Sequence, residues 1–165
     1  MPGILIIAHA PLAGALCACA AHVFGALPQR LEGLDVPAEA DVQSVLRQAS
    51  AAMSRLAATD GEVLVLADAA GATPCNTACR LLPAAAGSAR VRLLGGVNLP
   101  MLLRALCYQH EALDQLVSRA IEGGRRAIAE IDPGAPDALP AQPAPALQTA
   151  CAGPGATPPC PGSSC

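Results

Sequence analysis

The chain has 165 residues and a formal net charge of -3, with one Phe, one Tyr, no Trp and, among its basic residues, ten Arg and no Lys. That length suits one compact domain whose core is built from small aliphatic side chains, and it is too short to expect two. The acidic balance leaves no basic footprint for nucleic acid, and a chain without lysine has no P-loop for nucleotide phosphates.

The first predicted element is Gly3-Ile4-Leu5-Ile6-Ile7-Ala8, a continuous run of mostly branched apolar residues. Such a run fits a strand buried on both faces of a parallel sheet. His9-Ala10-Pro11 closes it, and Leu12 to Phe24 reads as a helix ending near Gly25, with Pro11 suited to its first turn. Leu31 to Val36 predicts a short second strand. Asp41 is a plausible N-cap for a helix in which Val42, Val45, Leu46, Ala49, Met53 and Leu56 recur at helical spacing.

Thr59-Asp60-Gly61 predicts a turn, and Glu62-Val63-Leu64-Val65-Leu66-Ala67 repeats the buried-strand signature and ends at Asp68. A loop over 69–74 leads into a helix from about Pro74 to Leu82. Arg90 to Leu94 predicts a fourth strand, followed by a Gly95-Gly96-Val97-Asn98 turn and a helix from Pro100 towards Gln109. Ala112 to Glu122 predicts a further helix, with Gly123-Gly124 as its stop. Arg125 to Ile131 reads as either a helical continuation or a last strand. From Asp132 onward proline, glycine, alanine and serine dominate, so 132–165 is expected to be a disordered tail after a domain over 1–131. Strands alternating with helices predict an open α/β sheet, in which ligand chemistry gathers at the carboxyl ends of the strands.

Eight cysteines without regular spacing or a basic leader read as reduced thiols of a cytoplasmic protein. Cys17, Cys19, Cys75, Cys79 and Cys107 are expected to be small buried hydrophobes, and no CxxC pair favours zinc. His9 and Pro11 interrupt the first apolar run, which argues against a membrane span. No metal or cofactor is expected.

Three loops leave the carboxyl ends of three predicted strands, and they carry His9, then Asp68 with Gly71, Ala72, Thr73 and Asn76, then Asn98. Imidazole is a nucleophile near neutral pH if its second nitrogen is fixed by a hydrogen bond. Asp68 is the natural group to fix it, and Thr73 Oγ with the backbone N–H groups opening the next helix can receive an anion. On these grounds alone His9 can equally be a hydrogen-bonded structural residue, Asp68 a turn residue and Thr73 a plain N-cap. His22 reads as structural or exposed, His110 as a helix-end cation and Arg125-Arg126 as a solvated pair.

Gly3-Ile-Leu-Ile-Ile-Ala-His9, then Leu66-Ala-Asp68-Ala-Ala-Gly71-Ala-Thr73-Pro74-Cys-Asn76, then Gly95-Gly-Val-Asn98-Leu-Pro100-Met101-Leu102 occur in order. Together they resemble the three signatures of the mannose-family IIA component of the bacterial sugar phosphotransferase system, over roughly residues 1–131. The resemblance implies a doubly wound, mostly parallel sheet with helices on both faces, and a C-terminal strand, Arg125 to Ile131, exchanged in a homodimer. It implies a cytoplasmic phosphocarrier that accepts a phosphoryl group on His9 from the histidine phosphocarrier HPr. It would pass the group to a separate IIB component, or act as a regulatory signal on another enzyme. Asp68 would orient His9; Thr73, Gly71 and Ala72 would bind phosphate; Asn76 and Asn98 would form the site wall. A phosphotransferase subunit feeding dihydroxyacetone kinase is the alternative. Ala72 stands where the family has a second glycine, and Ala69-Ala70 where it has larger or polar residues, which bears on the phosphate site and on partner choice.

Overall fold

The computed structural model describes residues 1–85 and 89–130. The segment 132–165, expected to be a disordered tail, lies outside the described residues. In chain order the elements are β1 (Gly3–His9), α1 (Leu12–Phe24), β2 (Leu31–Val36), α2 (Val42–Ala57), β3 (Glu62–Ala67), α3 (Thr73–Ala85), β4 (Arg90–Leu94), α4 (Leu99–Cys107) and α5 (Leu113–Arg126).

The strands form one parallel sheet in the order β2-β1-β3-β4. β1 is central, and Gly3 to Ala8 are all buried because both faces of the strand are covered. Side chains alternate across it. Ile4, Ile6 and Ala8 join Leu64 and Leu66 of β3 in a core with Ala13, Leu16 and Ala20 of α1, Leu102 of α4 and Leu116 of α5. Leu5 and Ile7 join Val63 and Val65 in a second core with Val45, Ala49 and Met53 of α2 and Ala78 of α3. The sheet is therefore doubly wound, with α1, α4 and α5 on one face and α2 and α3 on the other. With β2 on one side of β1 and β3 on the other, successive connections diverge between β1 and β3, which is the topological switch point of the sheet.

Three sequence expectations are corrected here. Gly123-Gly124 does not stop α5, which runs to Arg126 with both glycines buried inside it. They are there for packing: a Cβ on Gly123 would lie 2.5 Å from Arg104 Cβ, and one on Gly124 would lie 3.1 Å from Met101 Cβ. The pair lets α5 close on α4 at a distance no other residue permits. In consequence no strand begins at Arg125: Arg125 and Arg126 are helical, Ala127 is the C-cap, and 128–130 carry no strand. The expected burial of the cysteines also divides. Cys75 is buried and Cys17 and Cys107 are half-buried, whereas Cys19 and Cys79 are exposed; all five are free thiols.

Candidate functional site

β1 and β3 end side by side at the switch point, so the residues that follow them meet. His9 closes β1, and Asp68 is the first residue after β3. His9 Nδ1 stands 2.6 Å from Asp68 Oδ2, and the His9 backbone N–H donates to the same oxygen at 2.9 Å. The Ala69 N–H donates to Asp68 Oδ1 at 2.8 Å. The aspartate is thus held by three N–H groups while its own carbonyl accepts from the Gly96 N–H at 3.1 Å, joining the loop after β4 to the other two.

The electrostatics follow from those contacts. Partial burial pushes the Asp68 carboxyl up, but the hydrogen bonds from the His9 backbone, the His9 ring and the Ala69 N–H outweigh it and hold the group below the ordinary aspartate range. An ionised carboxylate only accepts, so a ring proton sits on Nδ1, and in the neutral ring the lone pair is then on Nε2. The His9 side chain is 51 % exposed and that of Asp68 11 %. The arrangement is a nucleophilic nitrogen facing solvent with a fixed negative charge behind it.

The loop between β3 and α3 is set by Gly71, whose φ of +81° falls in the left-handed region that disfavours side chains. Ala72 carries no such φ, so alanine at this position is accommodated without backbone strain. The Ala72 N–H donates to the Ala69 carbonyl at 3.3 Å and its carbonyl accepts from the Asn76 N–H at 2.9 Å. Asn76 Nδ2 donates to the Gly71 carbonyl at 2.9 Å, so this side chain buttresses the loop. Thr73 is the exposed first residue of α3, not an N-cap ahead of it, and Pro74 follows. The N–H groups of Thr73 and Cys75 lie in the first turn, where no intrahelical acceptor exists, and they can receive an anion.

Asn98 is the N-cap of α4: its Oδ1 accepts from the Met101 N–H at 2.9 Å and its Nδ2 donates to the Gly124 carbonyl at 3.4 Å. Its side chain is committed to holding α4 and α5 together. Sequence reasoning passed over Asp35, near the end of β2, whose carboxylate accepts from the Ala13 N–H at 2.8 Å and the Gly14 N–H at 3.2 Å. Its signal, an acid two residues before Pro37, has no local partner to mark it. Among the described residues no three His, Cys, Asp or Glu side chains gather as metal ligands, and no helix is long and apolar enough to cross a membrane.

The EIIA-man family model, described as the PTS system fructose IIA component, matches residues 3–121. Among solved structures, the phosphotransferase system component EIIA of Streptococcus agalactiae is 25 % identical with a TM-score of 0.67, over 79 % of this chain and 97 % of that one. The mannose/sorbose specific IIA subunit of Enterococcus faecalis is 25 % identical with a TM-score of 0.66, over 79 % of this chain and 95 % of that one. A IIA protein associated with the fucose utilization operon of Streptococcus pneumoniae, 24 % identical with a TM-score of 0.62, covers 73 % of this chain and 89 % of that one and shares the fold. No curated protein matches.

Proposed function

The chain belongs to the EIIA-man family of phosphotransferase-system IIA components, and from that premise we propose that it is a phosphocarrier acting through His9. The observation that carries this reading is the 2.6 Å contact of His9 Nδ1 with Asp68 Oδ2, which leaves Nε2 free on a half-exposed ring. His9 Nε2 attacks the phosphorus carried on the histidine of phospho-HPr. One N–P bond forms as the other breaks, and the proton on Nδ1 stays in its hydrogen bond to Asp68. The ring becomes cationic as it takes the phosphoryl group, and the Asp68 carboxylate offsets that charge. Thr73 Oγ, the first N–H groups of α3 and the Gly71-Ala72 backbone receive the phosphoryl oxygens. Asn76 and Asn98 hold the loop and helix that frame the site.

A relay has no nucleotide to bind and no small substrate to enclose, so positioning and charge account for its rate. The acceptor is a separate IIB component, and the similarity to a mannose/sorbose specific subunit favours a sugar-transport chain. Free thiols at five described positions suit a reducing cytoplasm. β4 pairs only with β3 among the described residues, which leaves its outer edge open to a second copy in a homodimer.

The test is incubation with phosphoenolpyruvate, enzyme I and HPr, followed by intact mass and acid treatment. One acid-labile phosphoryl group is expected on the wild type and on His22→Ala, and none on His9→Ala. A phosphoryl group that persists in His9→Ala defeats the reading.

A further inference from the structure

Four helices start at the carboxyl edge of the sheet, and three of them carry a side-chain oxygen on their first N–H groups. Asp41 caps α2 through the Ser44 N–H at 2.8 Å, and Asn98 caps α4. α1 is filled by Asp35, which comes from the neighbouring strand β2. Among the described residues no side chain occupies the first turn of α3.

The Asp35 contact is built into the backbone around it. Gly14 lacks a Cβ where one would stand 2.9 Å from Asp35 Oδ2. One residue on, the Val36 carbonyl accepts from the Ala10 N–H at 3.1 Å. The end of β2 therefore grips the His9-Ala10-Pro11 turn at two points, at Ala10 within it and at Ala13 and Gly14 after it. α1 starts three residues beyond His9, α3 five residues beyond Asp68, and the β1–β2 register sets Ala8 beside Asp35 and His9 beside Val36. A helix N-terminus attracts an anion by its dipole and its orphan N–H groups together. Both attractions at α1 are met by the protein's own carboxylate.

We infer that Asp35 is a positioning residue that sets the transfer poise of His9, keeping the phosphoryl group off α1 and easy to give away. This rests on the phosphocarrier reading above. The chemical step is unchanged, with one N–P bond broken as another forms. Asp35 acts on the stability of the phosphorylated state, since its charge repels the phosphoryl group and its occupancy leaves α3 as the helix end that receives it.

The experiment equilibrates purified phospho-HPr with this protein and reads both phosphorylated fractions by intact mass. Asp35→Asn keeps an oxygen for the Ala13 N–H and removes the charge. It is expected to shift the equilibrium about two- to fivefold towards phosphorylated His9 at low salt. That shift should shrink towards unity near 1 M salt, where the Debye length is about 3 Å. Asp114→Asn, which loses the same charge at the opposite end of the sheet, where it pairs with Arg90 and Arg92, is expected to leave the equilibrium in place. No shift in Asp35→Asn, an equal shift in Asp114→Asn, or a shift indifferent to salt overturns the inference. Failure of the wild type to accept phosphate defeats the phosphocarrier reading instead. A second measurement needs no variant: amide spectra of the wild type before and after phosphorylation. Thr73 and Cys75 should move while Ala13 and Gly14 stay, and movement of the latter pair by as much overturns the inference.

Discussion

Replacing Asp68 by Asn keeps the shape of the side chain and removes its charge, which isolates what the carboxylate does. Three N–H groups converge on the two oxygens of Asp68, two of them from His9. An asparagine has one oxygen and one NH2 group. If its oxygen keeps the Ala69 N–H, the NH2 group faces His9, and the ring must turn its Nδ1 lone pair inward and carry its proton on Nε2. The nucleophilic nitrogen is then blocked in the ground state. Even in the productive tautomer, the cationic ring of the transition state loses a charge-assisted hydrogen bond of about 1.5–3 kcal/mol. At 1.36 kcal/mol per decade, transfer from phospho-HPr should slow by about 10- to 150-fold, before any tautomer penalty. The assay is single-turnover rapid quench with phospho-HPr in excess, alongside circular dichroism to confirm the fold and nitrogen NMR of His9 to read the tautomer. Transfer within threefold of wild type, with the fold intact, refutes the assigned role of the carboxylate.

Stability of the wild type should carry an acid limb that Asp68→Asn lacks. The folded carboxyl lies below the ordinary 3.8, so its contribution is complete above that pH and is lost as pH falls through the lower folded value. Urea melts between pH 5 and pH 2.5 measure it, and parallel curves for the two proteins count against it. Gly71→Ala, at φ +81° with open space around its Cβ position, should cost about 1–2 kcal/mol through backbone strain alone, read from the urea midpoint at unchanged m. Asn98→Ala removes an N-cap and the tie to Gly124, and a loss of about 1–2 kcal/mol is expected in thermal unfolding. Gly123→Ala inserts a methyl 2.5 Å from Arg104 Cβ and should cost about 1–3 kcal/mol, although alanine is the better helix former. A stabilised Gly123→Ala would show that α4 and α5 are not closely packed.

The strands were legible in the sequence because both faces of β1 and β3 are covered, and a two-sided burial writes itself as an unbroken apolar run such as Ile4 to Ala8. The Asp41 cap was legible for a similar reason, since cap and recipient are three residues apart. What failed was long-range. Gly123-Gly124 carries the local signature of a helix stop, and only the approach of α4 turns it into a packing device. Asp35 and the helix it fills are 21 and 22 residues apart, joined by the register that sets Ala8 beside Asp35. At the site itself, sequence order could name the loops after β1, β3 and β4 but not how their polar groups are used. Asn76 and Asn98 read as wall residues, and the structure spends Asn76 on the Gly71 carbonyl and Asn98 on a cap and the Gly124 carbonyl.

An exposed nucleophile is usually a poor design for catalysis on a small molecule, because water competes for the reacting centre and screens the charges that stabilise the transition state. Here His9 is half in solvent while the groups behind it are fixed by backbone contacts to three loops. The combination makes sense if the missing wall belongs to another protein. On the proposed phosphocarrier reading, a phosphorylated partner docked over His9 would bring the phosphoryl group and exclude water in the same event, and the fixed Asp68 charge would then act in a drier medium, where it is stronger. On the same reading, once that partner left, the phosphoryl group would have to stay reachable by the next one, which an enclosed pocket would prevent. For a phosphocarrier, exposure of the ring and rigidity of its support would thus be two halves of one requirement, that the same atom be a good acceptor and then a good donor.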